Sequence, residues 1–256
     1  MKLLWIASLL LAVTASVLGQ AQSPAVPGPN EAAARLLVRE AKASAIRVKN
    51  TFQRGLLLDE IGAMQARLRE YDSAVSTAET AYPHTLKTLA ALGTQLADDP
   101  ASLNRVCPML KSGEASTVIA NAAWAQADKG DVELALRTSK SVPDPAVRSD
   151  VLRELATRQS AAGDVAGARK SLSEANDAYP ATKSSPEGDI ELIANGQLSR
   201  GNRVAARKTI EGIGSREMQA AALISGAELL DKAGDRGGAR AWLLDAFELA
   251  PRDLPG

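Results

Sequence analysis

The residue types best suited to chemistry are scarce in this chain. It has a single histidine, His84, and a single cysteine, Cys107. One histidine cannot build a multi-histidine metal site, and no Gly-x-Ser-x-Gly nucleophile motif accompanies it. One cysteine excludes an internal disulfide framework and a cysteine-rich zinc site. We therefore predict no catalytic, metal or cofactor site, and we interpret His84 as an exposed first-turn residue and Cys107 as a small buried one.

Carboxylates are the remaining catalytic candidates, because the chain has 30 Asp and Glu residues. A carboxylate pair performs glycoside hydrolysis, but solvent-facing acids are expected on every helix, so the sequence selects no pair. The polysaccharide-cleaving enzymes that carry superhelical helix arrays normally add a catalytic domain, and no segment here is left over to form one. A polysaccharide-acting enzyme is therefore the least favoured class, and we predict that the protein is not an enzyme.

The charge balance argues against two classes of partner. The acidic residues are matched by 30 Lys and Arg, which gives a formal net charge of zero. A general nucleic-acid binder would show a basic footprint, and an anionic membrane surface would call for a basic run. We predict neither as a partner.

The N-terminus has the pattern of a targeting segment. Lys2 is followed by an apolar stretch and by small residues at Gly19 and Ala21, after either of which a signal peptidase would cut. We predict a signal peptide over 1–19 and a Pro-rich linker over 20–30, with Asn30 as a helix N-cap. The mature chain is then secreted or periplasmic and not inserted in a membrane.

The remaining chain, 31–256, is rich in helix-forming residues and contains an internal repeat. A corner dipeptide recurs at spacings of 33, 38 and 33 residues, as Gly130-Asp131, Gly163-Asp164, Gly201-Asn202 and Gly234-Asp235. Glycine ends a helix in the left-handed conformation, and Asp or Asn caps the next one. The pattern therefore predicts a series of tight helix-turn-helix corners.

Small residues occupy fixed places around each corner. Seven residues before the glycine stand Ala123, Ala156, Ala194 and Ala227, and five residues after it stand Ala135, Ala168, Ala206 and Ala239. Small side chains allow two helices to pack at about 8 to 10 Å between their axes. Each repeat is therefore predicted to be a closely packed helix pair.

This pattern resembles the tetratricopeptide repeat family over Ser116 to Pro251, although the early tryptophan of that family is missing. The resemblance implies an all-α, α-α superhelix (solenoid) of about six antiparallel helix pairs. We predict a single domain over 31–256, with degenerate repeats in 31–113 and clear ones in 114–251. Arg69-Glu70 replaces the corner dipeptide in one degenerate repeat. The segment 31–49 is predicted to cap the first repeat, and Trp242, Leu243, Phe247 and Leu249 to close the last.

A glutamine recurs three residues after the small residue of the first helix, as Gln65, Gln126, Gln159 and Gln197. Such amides are able to line a groove. The interpretation we favour is structural: a half-buried amide bonds the adjacent helix and fixes the stacking of one repeat on the next.

In tetratricopeptide arrays the first helices line a concave groove that holds peptides. Carried over to this chain, the resemblance makes Asn121, Trp124, Arg153, Glu191, Asn195 and Glu228 the candidate partner-binding residues. The groove is mostly acidic, and Trp124 is either its aromatic anchor or a packing residue.

The sequence thus favours an exported, non-enzymatic helical-repeat module that binds a protein or peptide through its concave face. The alternative is a structural protein of the cell envelope that self-associates through the ends of its solenoid.

Overall fold

A computed structural model of the protein describes residues 29–82, 84–182 and 184–249. The predicted signal peptide and residues 20–28 of the predicted linker lie outside these ranges. The first helix within these ranges, α1 (Pro29–Ala45), begins inside that linker, so the assignment of Asn30 as an N-cap is wrong. Proline suits a helix start because its φ is already helical and its missing N–H has no helical partner there.

The described residues form helices and short turns without a strand, which confirms the all-α class. Within the described ranges six helix pairs follow α1, in agreement with the prediction. The pairs are α2 (Thr51–Arg67) with α3 (Tyr71–Ala81), α4 (Leu86–Leu96) with α5 (Pro100–Val106), α6 (Ser112–Asp128) with α7 (Val132–Ser139), α8 (Pro145–Ala161) with α9 (Val165–Ala178), α10 (Pro186–Ser199) with α11 (Arg203–Ile210), and α12 (Arg216–Lys232) with α13 (Arg236–Leu249).

The chain divides into two compact units, Met1–Asp144 and Pro145–Gly256. In the first unit, α1 packs on α2, and the first helices α2, α4 and α6 pack in succession. In the second unit the first helices α8, α10 and α12 do the same. Within each unit every first helix also packs against the second helix of its own pair. Over the described residues, no helix is both long enough and apolar enough to span a bilayer.

The corners have the predicted conformation. Gly130, Gly163, Gly201 and Gly234 have φ values of 89°, 92°, 75° and 84°. The Asp or Asn that follows caps the next helix: Asp131 accepts from the Leu134 N–H and Asp164 from the Gly167 N–H. Because glycine adopts the left-handed conformation without steric cost, each corner is determined locally by two residues.

Arg69 occupies the corner glycine position between α2 and α3. Its φ is 60°, and among the described residues it is the one non-glycine with a positive φ. The following residue, Glu70, does not cap α3, because its carboxylate faces Arg35 and Arg39 of α1 at 3.4 and 3.7 Å. At this corner Glu70 therefore does not cap α3 and instead contacts the arginines of α1.

Arg69→Gly is expected to stabilise the protein by about 0.5 to 1 kcal/mol. Left-handed backbone costs a non-glycine residue about 1 to 2 kcal/mol, and the greater entropy of glycine in the unfolded chain offsets part of the gain. The urea midpoint measures the effect. Arg67→Gly, in the last turn of α2, is the matched control and should lower the midpoint, since glycine weakens an ordinary helix.

The predicted alanine positions are buried throughout. Ala156 and Ala168 share one core cluster with Leu172 and Ile193. Another cluster contains the next two alanine pairs, Ala194, Ala206, Ala227 and Ala239. The close packing inferred from small residues is therefore confirmed.

One end of the array differs from the prediction. Trp242 is buried at 4% exposure, as expected of a residue that covers the end of the array. Leu243 and Phe247 are 49% and 80% exposed and do not cover that end. The reason is the register of α13: Ala239, Trp242 and Ala246 face the core of the last pair, which turns Leu243 and Phe247 away from it.

Candidate functional site

The recurring glutamines are buried and structural. Three of them accept a hydrogen bond from a hydroxyl twelve residues later, on the second helix of the same pair. The hydroxyl-to-Oε1 distances are 2.7 Å for Thr77 to Gln65, 2.7 Å for Ser171 to Gln159, and 2.9 Å for Thr209 to Gln197. These amides therefore join the two helices of one pair, whereas the predicted role was to join successive repeats.

Gln126 is the member that makes the predicted contact. Its Nε2 donates to the carbonyl oxygen of Ala97, at the end of α4 in the preceding pair, at 2.8 Å. In the last pair the apolar residues Leu230 and Trp242 replace the amide and the hydroxyl at the same spacing of twelve residues. Both apolar residues belong to the core cluster of the last pair.

Gln159→Leu is expected to cost about 1 to 3 kcal/mol, because the buried Ser171 hydroxyl loses its acceptor. Adding Ser171→Ala should recover part of that loss, since an apolar pair leaves no unsatisfied group. The free energies of unfolding of the two single variants and the double variant give the coupling. Strictly additive effects would contradict the hydrogen bond.

Arg153 lies half-buried within the second unit and is engaged internally. Its guanidinium donates to the Ser184 hydroxyl at 2.8 Å and to Asn176 Oδ1 at 2.6 Å, and it lies 3.7 Å from a carboxylate oxygen of Asp189. The network links α8 to the end of α9 and the start of α10. Arg153 thus orders the longer loop between these pairs, so this candidate partner-binding residue is already engaged within the chain.

Trp124 and Asn121 lie on α6 of the first unit, and both are half-buried. The Asn121 amide donates to the Thr117 carbonyl of its own helix at 2.8 Å. The indole N–H of Trp124 is buried and has no acceptor among the described residues. Because this N–H is buried, its lack of an acceptor within the described part of the chain does not mark an exposed binding position.

The other three candidates lie in the second unit. Asn195 and Glu191 on α10 are half-buried, and Glu228 on α12 is exposed. The Asn195 Oδ1 atom is buried without a donor among the described residues. Asn195 and Glu228 stand directly after a buried alanine of a first helix, the position that Trp124 occupies in its own repeat.

Exposed carboxylates accompany these candidates on the first helices of the second unit. Asp150, Glu154 and Asp231 are exposed, as is Glu228. Glu154 pairs with Arg158 of the same helix at 3.0 Å. Exposed acids thus outnumber exposed bases on these first helices, where Arg216 and Lys232 are the exposed basic residues.

His84 is not the exposed residue that was predicted. It precedes α4, is half-buried, and packs edge-on against the Phe52 ring with 4.9 Å between ring centroids. The side chain fills the space above Gly55, where an added Cβ would lie 2.6 Å from the His84 ring. The His84 side chain therefore packs the segment before α4 against the start of α2.

Cys107 lies in the turn after α5 and is half-buried. Burial raises the pKa of its thiol to about 11. Because the thiolate is the reactive form, this cysteine is a poor nucleophile near neutral pH. Among the described residues, no group of three or more His, Cys, Asp or Glu side chains is placed to hold a metal ion.

Alkylation of native Cys107 is expected to be slow at pH 8, where a thiol of pKa about 11 is roughly one part in a thousand thiolate. The rate should rise about tenfold per pH unit, until the pH approaches that pKa. Iodoacetamide labelling followed by mass spectrometry measures it, and the urea-unfolded protein is the control. Equal rates in the native and unfolded states at pH 8 would contradict the burial effect.

No family model matches the chain. No curated protein matches it either. Similar solved structures include aspartyl phosphate phosphatase F from Bacillus subtilis, with 14% identity, a TM-score of 0.34, and 88% of this chain and 66% of that chain covered. Ton1535 from Thermococcus onnurineus NA1 has 15% identity and a TM-score of 0.26, with 95% of this chain and 78% of that chain covered.

A third similar structure is a circular tandem repeat protein with novel repeat topology and enhanced subunit contact surfaces. It has 16% identity and a TM-score of 0.23, with 86% of this chain and 52% of that chain covered. The chain thus spans less than two thirds of the length of the first and third of these proteins. Similarities this low carry no functional argument, so the assignment of a helical-repeat fold rests on the packing and the corners described above.

Proposed function

We propose that the protein is an exported, non-enzymatic module of tetratricopeptide-like repeats that binds a protein or peptide along its first helices. The observation that carries the proposal is the set of exposed carboxylates on the first helices of the second unit, at Asp150, Glu228 and Asp231. A basic partner would meet these carboxylates.

The charges favour a basic or polar partner. The exposed acids of the second unit's first helices attract positive charge, and exposed charge pairs are screened over about 8 Å at physiological ionic strength. Affinity is therefore expected to fall with added salt. Trp124, on α6 of the first unit, is a separate aromatic candidate for an anchor.

Partner capture by the mature protein from its own cell envelope tests this proposal. Trp124→Ala, Asn195→Ala and Glu228→Arg should each reduce capture, with the largest loss at Trp124. Arg137→Glu and Lys170→Glu change exposed residues on second helices and serve as matched controls. Unchanged capture by the three first-helix variants, with loss in the controls, would place binding on the second helices.

Export is a separate element of the proposal. The charged start, the apolar stretch and the small residues at 19 and 21 support cleavage after Gly19 or Ala21. N-terminal sequencing of the protein from its native source tests this, and an intact Met1 on a cytoplasmic product would contradict export.

A further inference from the structure

The outward side of the last helix pair exposes large apolar side chains. On α13, Leu243 and Phe247 are 49% and 80% exposed, and on α12 Ile224 is 45% exposed. These positions belong to the repeat pattern, so the preceding pairs show what each of them normally contacts.

Leu243 stands where a second helix meets the following pair. The equivalent residues, four positions after the buried alanine, are Leu172 on α9 and Ile210 on α11, which are 1% and 2% exposed. Leu172 belongs to a core cluster with Ile193 of the next first helix. Leu243 is therefore a stacking residue of the repeat that nothing covers among the described residues.

Two arginines of α13 occupy positions that, in the preceding pair, form ion pairs with the following pair. On α11, Arg203 pairs with Asp235 and Arg207 pairs with Asp245, each at 2.6 Å, and both acids belong to the following pair. Arg236 and Arg240 hold the corresponding places on α13, thirty-three residues later. Neither has an acidic partner among the described residues.

The first helix of the last pair supplies a complementary charge. Asp231 on α12 corresponds to Ser160 and Leu198, which are 1% and 7% exposed. Ser160 bonds the Ile193 carbonyl of the next first helix at 2.5 Å, so this position also faces a following pair. Asp231 is exposed and lies near the corner that joins α12 to Arg236.

We propose that this end face, formed by Ile224, Asp231, Arg236, Arg240, Leu243 and Phe247, pairs with the same face of a second copy of the chain. A twofold axis parallel to the helices would set α12 of each copy against α13 of the other. The apolar halves then meet, and Asp231 of each copy faces Arg236 and Arg240 of the second copy. One surface thus supplies both charges that the contact needs, which is the requirement for an isologous dimer.

The size of the face indicates a weak dimer. Helices of 14 and 17 residues packed side by side present a face of about 400 Å² in projection. Stable interfaces bury about 800 Å² per partner, so the dimer is expected to dissociate on dilution.

Sedimentation equilibrium of the mature protein over about a hundredfold range of concentration tests the pairing. The mass should rise from monomer towards dimer and no further. Leu243→Glu and Phe247→Glu should remain monomeric at every concentration. Lys208→Glu, an exposed change on α11 outside the end face, is the matched control and should dimerise like the parent. Circular dichroism verifies that each variant is folded.

A charge exchange tests the twofold geometry. Asp231→Lys alone, and Arg236→Glu with Arg240→Glu, should each weaken self-association at least tenfold, because like charges then face each other. An equimolar mixture of these two variants should form a heterodimer that neither forms alone, and lower salt should strengthen it.

Three results would overturn the proposal: a parent protein that is monomeric throughout, a dimer unaffected by the Leu243 and Phe247 changes, or assembly that continues beyond the dimer. A variant lacking residues 250–256 that dimerises when the parent does not would assign the face to that segment. Leu243→Glu and Phe247→Glu distinguish the pairing from the proposed partner binding, since both residues lie on a second helix and partner capture should survive their change. Asp231 is one of the first-helix carboxylates, so its variant tests self-association alone.

Discussion

Gly93→Leu is expected to lower the free energy of unfolding by about 3 kcal/mol, at the upper end of the cost of overpacking. Gly93 lies on α4 where this helix crosses α6. A Cβ at this position would lie 2.5 Å from the Val118 carbonyl oxygen and 2.5 Å from the Asn121 Cβ. Backbone and Cβ atoms cannot move aside as a side-chain end does, so the two helices must separate. The urea midpoint, followed by circular dichroism at 222 nm, measures the loss.

Gly113→Leu is the matched control for this variant. Gly113 lies in the first turn of α6, and a Cβ there would meet nothing within 4 Å. Leucine also favours a helix more than glycine does, so the control should keep or slightly raise the midpoint. Equal midpoints for the two variants would show that α4 and α6 are not in close contact at Gly93.

The fold was predictable because its repeat is set by local residues. The Gly-Asp dipeptide determines a corner by itself, and alanines at fixed distances from it determine where a helix pair packs closely. This reasoning extends to the degenerate repeat, where Arg69 adopts the left-handed conformation that its alignment with the corner glycines implies. The sequence does not show the compensating contact, because Glu70 bonds Arg35 in a different helix.

The contacts between successive first helices were not predictable in the same way. Gly93 and Gly196 make these crossings, with the latter against the Thr157 carbonyl, yet neither stands at a recurring position of the repeat. Their register depends on the angle between neighbouring pairs, which variable loop lengths change. Arg153 shows the same difficulty, because its partners Ser184 and Asp189 lie in and after a segment that resembled an ordinary loop insertion.

The candidate site was only partly accessible to sequence reasoning. The spacing placed Trp124, Asn195 and Glu228 at one position of the repeat, but it could not show that Thr157, at the same position, packs against Gly196 of the next first helix. One signal was available for the glutamines: a Ser or Thr follows each of them by twelve residues, at Thr77, Thr138, Ser171 and Thr209. For three of the four glutamines that second column identifies the partner helix and would have corrected the predicted contact between repeats. Gln126 is the exception, because it bonds Ala97 of the preceding pair.

Asp59 is the residue of the first unit whose role the sequence least suggested. It lies on α2, is 6% exposed, and caps the beginning of α4. Its Oδ1 accepts from the Thr88 N–H at 2.8 Å and from the Thr88 hydroxyl at 2.9 Å, and its Oδ2 accepts from the Lys87 N–H at 3.1 Å. A carboxylate at a helix N-terminus also interacts favourably with the helix dipole. One side chain thus fixes the first helix of one pair against that of the next.

Asp59→Ala is expected to lower the free energy of unfolding by about 2 to 3 kcal/mol, because it leaves the backbone N–H groups at the start of α4 without their acceptor. Asp59→Asn retains one amide oxygen as an acceptor and should lose about half as much. The control is Asp72→Ala, which breaks an exposed ion pair with Arg105 and should change stability by less than about 0.5 kcal/mol. Urea midpoints measure all three variants. Amide hydrogen exchange at Lys87 and Thr88 separates this cap from a general loss of packing, because exchange there should accelerate in Asp59→Ala more than exchange at the end of α4. Uniform acceleration along α4 would mean that Asp59 stabilises the pair by burial and not by capping.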